Sequence, residues 1–205
     1  IFNTIKNTGS PGFAGGFLLM LANLLFIQSL ANTSIANALF TLSSIPFLTA
    51  ILAFIFLKEK ISLRTIIIMI FAFMGIFIMI KDGLESGGLL GNILAFVCAI
   101  SFSGFVIVLR KSRNINMLPA NIVSGILIIF VSFVICLGNM KVPIQDILLC
   151  FLWGGVLSGF VNTVFIFSTR YLLASEATFF MLLEFSLGPF WVWIFLKETI
   201  SQETF

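Results

Sequence analysis

The sequence has no histidine, and only 9% of its 205 residues are charged. An average soluble domain carries about 25% charged residues, so this composition excludes an ordinary soluble domain. Without histidine, and without a cysteine pair at metal-binding spacing, we expect no metal and no other cofactor. The net charge of +3 is too small and too scattered for a nucleic-acid-binding protein. The three cysteines are expected to be small buried apolar residues: Cys98, Cys136 and Cys150.

The apolar residues, by contrast, make up 60% of the chain, and the mean hydropathy is +1.20. They form runs near the length of roughly 20 residues that a helix needs to cross a bilayer. Such runs differ from the short alternating segments of an outer-membrane barrel. The sequence therefore predicts an all-α, polytopic helical membrane protein. Seven spans are predicted, at residues 12–30, 34–57, 65–80, 88–109, 117–138, 147–169 and 174–196.

The basic residues predict how these spans are oriented. If the spans alternate in direction, eight Lys and Arg lie on one side of the membrane and three on the other. Because cytoplasmic loops are enriched in Lys and Arg, the side with eight is predicted to be cytoplasmic. The loops after residues 57, 109 and 169 then face the cytoplasm, and the protein is integral to the cytoplasmic membrane.

One charged phrase occurs twice: IFLKEKIS at residues 55–62 and IFLKETIS at 194–201. Comparing residues 15–65 with 154–204, a shift of 139, gives 18 identities in 51 positions. Five predicted spans separate each pair of equivalent helices, so the second copy enters the membrane from the opposite side. This is an inverted-topology repeat, an architecture of secondary transporters whose substrate sites lie near the repeat interface.

The period of 139 residues also predicts the domain organisation. Two repeats of this length need ten helices, of which seven are present. Residues 1–80 are then the C-terminal part of the first repeat, and residues 81–87 are the inter-repeat loop. Residues 88–205 are the second repeat without its last helix.

A resemblance to a known family rests on these same segments. An apolar helix containing Pro46 is followed by FLKEKIS and by a second apolar helix containing Gly75. The second copy reads LLEFSLGPFWVWIFLKETIS at residues 182–201. This pattern resembles the EamA family of the drug/metabolite transporter superfamily, with this chain as the third to ninth of ten helices. The resemblance implies export or exchange of small metabolites through a central cavity, and no enzymatic activity.

Glu184 is the first candidate for chemistry, because it lies near the middle of the last predicted span. A charge at that depth costs about 2.5–3.5 kcal/mol, so the side chain should face the protein interior or water. It is either a substrate-binding or proton-coupling group, or a neutral Glu hydrogen-bonded to another helix. Trp191 shares its stripe and either lines the cavity or anchors the helix at the interface. The stripe comprises Ala177, Met181, Glu184, Gly188 and Trp191.

Asn23 and Asn162 are further candidates, because they occupy equivalent positions in the two repeats. An Asn in hydrocarbon needs a hydrogen-bond partner, so the pair either holds helices together or lines a cavity. Asn37, Thr41 and Ser44 form a similar polar stripe on the second predicted span. Pro46 is expected to bend that span. A stripe of small residues on the fourth span predicts close helix packing: Gly91, Ala95, Ala99 and Ser103.

The favoured function is a secondary transporter, an exporter of small metabolites that works by alternating access and is coupled to protons through Glu184. An antiporter of phosphorylated or nucleotide-linked metabolites is the alternative within transport. A membrane receptor and a membrane enzyme are less favoured, because no buried Lys for retinal and no catalytic cluster is visible. The expected partners are the lipid bilayer and a small-molecule substrate; the sequence leaves open a homo-oligomer.

Overall fold

The computed structural model describes residues 2–59, 63, 67, 71, 88–136, 143–181 and 194. All regular elements in these ranges are helices. We number the α-helices in chain order: α1 Phe2–Leu30, α2 Ile35–Leu42, α3 Ile45–Leu57, α4 Leu89–Lys111, α5 Leu118–Ile135, α6 Ile144–Cys150, α7 Gly159–Ser168 and α8 Ala174–Phe179. A π-helix, Phe151–Ser158, joins α6 to α7.

Five stretches of these helices are long and apolar enough to cross a membrane: Thr8–Leu30, Asn37–Leu57, Leu89–Lys111, Leu118–Ile135 and Ile144–Ser168. They confirm the prediction of an all-α, polytopic membrane protein. Most of the predicted span at 65–80 and most of the one at 174–196 lie outside the described residues. Many large apolar side chains point outward, among them Phe13, Ile129 and Phe160, as contact with lipid requires.

Two helices bend where the sequence contains proline. The long helix α1 has a break at Gly9, whose φ of 59° favours glycine, two residues before Pro11. Residues Ser43 and Ser44 form a turn between α2 and α3, and Pro46 occupies the first turn of α3. Pro46 lacks an N–H and cannot continue the hydrogen bonding of α2. The predicted bend of this span is therefore confirmed.

Helix α4 lies at the centre of the described bundle and packs against α1, α2, α3 and α8. Its predicted stripe of small residues is buried throughout, which confirms the close-packing face: Gly91, Ala95, Ala99 and Ser103. The small side chains let polar groups reach across between helices. Cys98 Sγ lies 3.2 Å from the carbonyl oxygen of Ala22 on α1, and Ser103 Oγ donates to the carbonyl oxygen of Ile45 on α3 at 3.2 Å.

The predicted sixth span, 147–169, contains an irregularity that sequence patterning does not indicate. The chain passes from α6 through the π-helix into α7 without leaving the helical conformation. Gly154 and Gly155 lie inside the π-helix, and a Cβ at Gly154 would meet no atom within 4 Å. Helix α7 then packs onto α5, and Phe165 lies 5.7 Å from Phe102 of α4, measured between ring centroids.

The hydrogen bonds show which helix ends lie together. Ser29 lies near the end of α1, and its Oγ donates to the carbonyl oxygen of Gly91 at the start of α4, at 2.8 Å. This contact marks one end of the bundle. At the other end, Arg110 near the end of α4 contacts the carbonyl oxygen of Thr169, just after α7. Helices α1 and α7 therefore cross the bundle in opposite directions. An inverted repeat requires this relation between its two copies.

Helices α1 and α5 approach so closely at Gly16 that no larger residue fits. A Cβ there would lie 2.7 Å from Val123 Cγ1 and 2.8 Å from the carbonyl oxygen of Ala120. Gly125, on the same helix as Val123, has no atom within 4 Å of an added Cβ. The two glycines therefore offer a matched pair for testing the α1–α5 contact.

We predict that Gly16→Ala lowers the free energy of unfolding by about 1–3 kcal/mol, because the helices must separate to admit the methyl group. Gly125→Ala should cause no loss, because the space is open and alanine favours a helix. Thermal or denaturant unfolding in detergent micelles measures both values. Equal stability of the two variants would contradict the close α1–α5 contact.

Candidate functional site

The structure describes three of the five predicted site residues. Asn23 is half-buried on α1, and its Nδ2 donates to the carbonyl oxygen of Leu19 at 2.9 Å. Asn162 is half-buried on α7. Asn37 lies in the first turn of α2, where its backbone N–H donates to Ser34 Oγ at 3.2 Å. Glu184 and Trp191 lie outside the described residues.

Asn23 satisfies its amide within its own helix, whereas sequence reasoning expected a partner on another helix. The bond to Leu19 spans four residues, which is one helical turn. The hydrogen bonds of the described residues do not link Asn23, Asn37 and Asn162 to one another. Their placement along a substrate pathway therefore stays a prediction.

Helix α8 brings the beginning of the predicted Glu184 stripe into the bundle. Ala177 is buried. Met181, just beyond α8, packs against an apolar cluster formed by residues of four helices: Ala22, Leu42, Ile45, Cys98 and Ala99. At the start of α8, Ala174 belongs to a second cluster with Ala53, Val106 and Ile107. The first two members of the stripe thus point into the bundle.

Two buried hydroxyl groups lie on α3 and the turn before it. Ser44 Oγ and Thr49 Oγ1 are shielded from solvent and have no hydrogen-bond partner in the described part of the chain. Because Ala53 clusters with Ala174, and Ile45 with Met181, α3 and α8 run antiparallel. Thr49 is therefore level with Thr178, which is also fully buried.

Unpartnered polar atoms are uncommon in protein interiors because each has lost its hydration without compensation. Small-molecule sites use a few such polar groups within an apolar wall. Sequence reasoning noted Ser44 only as part of a stripe and missed Thr49. The available signal was a pair of hydroxyl residues, spaced five apart, on either side of Pro46 in an apolar span.

Asn92 is a further buried polar residue that sequence reasoning missed. Its side chain is fully buried, and its Oδ1 accepts a hydrogen bond from Thr33 Oγ1 at 3.0 Å. Its Nδ2 has no partner among the described residues. The signal in the sequence was an amide side chain within an otherwise apolar predicted span. Asn92 lies at the end of the bundle where α1 finishes and α4 begins.

The opposite end of the bundle contains an ionic cluster, which we define as Glu59, Arg110 and Arg170. Arg110 Nε lies 3.2 Å from Glu59 Oε1, and the two side chains are only 10% and 20% exposed. Arg110 Nη1 also contacts the carbonyl oxygens of Thr169, at 3.4 Å, and of Arg170, at 3.3 Å. Arg170 Nη2 donates to the carbonyl oxygen of Ile115 at 3.2 Å.

The repeated phrase explains how Glu59 reaches this cluster. Helix α3 ends at Leu57, and Lys58 adopts the left-handed conformation with φ of 56°. The N–H groups of Lys58 and Glu59 both turn back to the carbonyl oxygen of Ala53. This left-handed turn ends the helix, and it directs the next residue back toward the bundle. The first copy of the phrase thus ends helix α3 and places the Glu59 carboxylate beside Arg110.

Within the described ranges, no group of three or more Cys, Asp or Glu side chains could hold a metal ion. The described residues show close helix packing, buried hydroxyl and amide groups, and one ionic cluster. With the five apolar helices, these features describe a membrane bundle with polar groups inside it.

A comparison with protein families bears on the first three helices. Residues 1–81 match the model of the EamA-like transporter family. The resemblance predicted from the sequence is thereby confirmed for this segment. The EamA-like segment contains Asn23, Asn37, Ser44, Thr49 and Glu59. No curated protein and no solved structure matches the chain.

The EamA-like segment and the five apolar helices together support a membrane transporter. They also support an integral, multi-pass protein in contact with the bilayer.

We predict that Thr49→Val preserves or raises the stability of the bundle by up to about 1 kcal/mol, because it removes an uncompensated buried hydroxyl. Thr41→Val is the matched control, since the buried Thr41 Oγ1 donates to the carbonyl oxygen of Asn37 at 2.9 Å. That variant should lose about 0.5–1.5 kcal/mol with its hydrogen bond. Unfolding in detergent measures both, and a larger loss for Thr49→Val would show that its hydroxyl is satisfied.

Proposed function

We propose that the protein is a secondary transporter that exports small metabolites across the cytoplasmic membrane by alternating access. The proposal rests on the two buried hydroxyl groups of Ser44 and Thr49, which have no hydrogen-bond partner among the described residues. Helix α8 packs against α3, which carries Thr49. Unpartnered hydroxyls in a membrane bundle suit a pathway that is filled in another state or by a substrate. The EamA-like segment supports the same class of function.

Glu184 is the proton-coupling residue in this proposal. Ala177 and Met181 precede it on one helical stripe, and both face the bundle interior. Met181, the last described member of the stripe, packs against the cluster that contains Ile45, the residue after the buried Ser44. Trp191 follows on the same stripe and completes a wall of the pathway.

Asn23, Asn37 and Asn162 contribute polar contacts to the substrate in the same proposal. The two repeats, residues 1–80 and 88–205, supply the two walls of the pathway. The equivalence of Asn23 and Asn162 under the 139-residue shift supports a paired arrangement about the repeat interface.

The substrates we expect are neutral, amino-acid-like or cationic. A phosphorylated substrate needs an Arg or Lys that is free to bind phosphate. Arg110 and Arg170 already contact protein acceptors at the end of the bundle. The antiporter of phosphorylated or nucleotide-linked metabolites therefore remains the second candidate.

We predict that proteoliposomes of the full-length protein transport members of a panel of radiolabelled amino acids, or the fluorescent cation ethidium, faster than empty liposomes do. Flux should respond to an imposed proton gradient, because Glu184 exchanges a proton in each cycle. A panel that shows no flux, with or without the gradient, would contradict the proposed transport.

We predict that Glu184→Gln flattens the pH dependence of this flux, because the amide cannot take up or release a proton. Glu176→Gln is the matched control: Glu176 is exposed at the start of α8, where its Oε2 accepts the N–H of Leu173 at 3.0 Å. It should keep the wild-type pH profile. An unchanged profile in Glu184→Gln would remove the coupling role of that residue.

A further inference from the structure

The ionic cluster lies where three helices end. Helices α3, α4 and α7 finish at Leu57, Lys111 and Ser168, and each C-terminus leaves carbonyl groups without helical partners. The C-terminus of a helix also carries a partial negative charge of about half an electron. Arg110 contacts two carbonyl oxygens just beyond α7, and it also contacts the Glu59 carboxylate just beyond α3.

Arg170 extends the cluster to the connection between α4 and α5. Its guanidinium donates to the carbonyl oxygen of Ile115 and lies 5.2 Å from the centre of the Phe167 ring. The backbone of Arg170, in turn, accepts from Arg110. The two arginines therefore tie the ends of α3, α4 and α7 and the beginning of α5 into one network.

The network crosses the boundary between the two predicted repeats. Glu59 belongs to the first repeat, whereas Arg110 and Arg170 belong to the second. Alternating access requires the repeats to separate at one end of the bundle while they stay together at the other. The contacts between the repeats at this end include the pair between Glu59 and Arg110 and the bond that Thr8 Oγ1 donates to the carbonyl oxygen of Asn116 at 3.2 Å. The pair is the charged one of the two.

The pair is enclosed but incompletely satisfied. Glu59 Oε2 is buried and has no hydrogen-bond partner in the part of the chain that the structure describes. A carboxylate held through one oxygen gains less from its partner than a bidentate pair does, and it recovers hydration when the site opens. This balance suits a contact that is made in one state and broken in another.

We propose that Glu59, Arg110 and Arg170 form an ionic gate that closes the transport pathway at the end of the bundle predicted to face the cytoplasm. The proposal rests on the transport function proposed above. In this gate Glu59, which is positioned by the left-handed turn at Lys58, moves away when the pathway opens. Arg110 stays in place on the central helix α4.

Access to a buried thiol tests the gate without any substrate. Ser103 is fully buried between α3 and α4, about 10 Å along α4 from Arg110 at 1.5 Å per residue. The reporter is Ser103→Cys in a background carrying Cys98→Ser, Cys136→Ser and Cys150→Ser. A membrane-impermeant maleimide is added to inside-out membrane vesicles, and the rate of labelling is measured.

We expect slow labelling of the reporter in the otherwise unchanged protein. Glu59→Gln and Arg110→Gln should each raise the rate about tenfold or more, because the loss of a charge-assisted contact shifts the population toward the open state. Glu176→Gln and Arg113→Gln are matched controls: each removes an exposed charge at the same end of the bundle. Both controls should leave the rate unchanged.

A second reporter separates opening from unfolding. Ala95 is fully buried on α4, toward the end where Ser29 contacts Gly91. Ala95→Cys should stay slow to label in Glu59→Gln if only the gated end opens. Faster labelling of both reporters would show a loosened fold and overturn the gate.

Equal labelling of Ser103→Cys in Glu59→Gln and in Glu176→Gln would also overturn it. Flux in proteoliposomes together with unchanged labelling would refute the gate alone. Faster labelling while no radiolabelled amino acid and no ethidium crosses would refute the transport function and leave the ionic closure supported.

Discussion

Helices α3, α4 and α7 end close to the guanidinium group of Arg110, and the contacts of this group join their ends. Carbonyl groups at a helix C-terminus need donors, and within or near a bilayer water supplies few of them. Arg110 supplies donors to the carbonyls beyond α7 and a positive charge to Glu59 beyond α3. The ends of helices from both predicted repeats are thereby held together.

The other end of the bundle is held together by different contacts. There the contacts between α1 and α4 are neutral: Ser29 bonds the carbonyl oxygen of Gly91, and Thr33 bonds Asn92. A Cβ at Gly91 would lie 2.7 Å from the backbone nitrogen of Thr33, so glycine is required for this close approach. An ion pair and the bond from Thr8 to the carbonyl oxygen of Asn116 hold one end, and neutral hydrogen bonds hold the other. Ser44 and Thr49 lie between the two ends.

The sequence predicted the features that depend on composition and local chemistry. Long apolar runs predicted the five spans that the structure describes, and Pro46 predicted the bend before α3. The sequence did not predict the features that depend on packing between helices. The partner of Glu59 lies 51 residues away on α4 and is reached only because Lys58 adopts a left-handed conformation. The Asn23 amide, expected either to hold helices together or to line a cavity, donates a bond within its own helix.

The central claim is that the Glu59–Arg110 pair holds the ends of α3 and α4 together. Spin labels on Phe56→Cys and Lys111→Cys, both exposed, leave the turn at Lys58 unchanged and would measure the distance between these ends by double electron–electron resonance in nanodiscs. The background carries the same three cysteine-to-serine changes. We predict one short distance in the otherwise unchanged protein and in Arg113→Gln, and an added longer population in Arg110→Gln. Identical distance distributions in all three proteins would contradict the account.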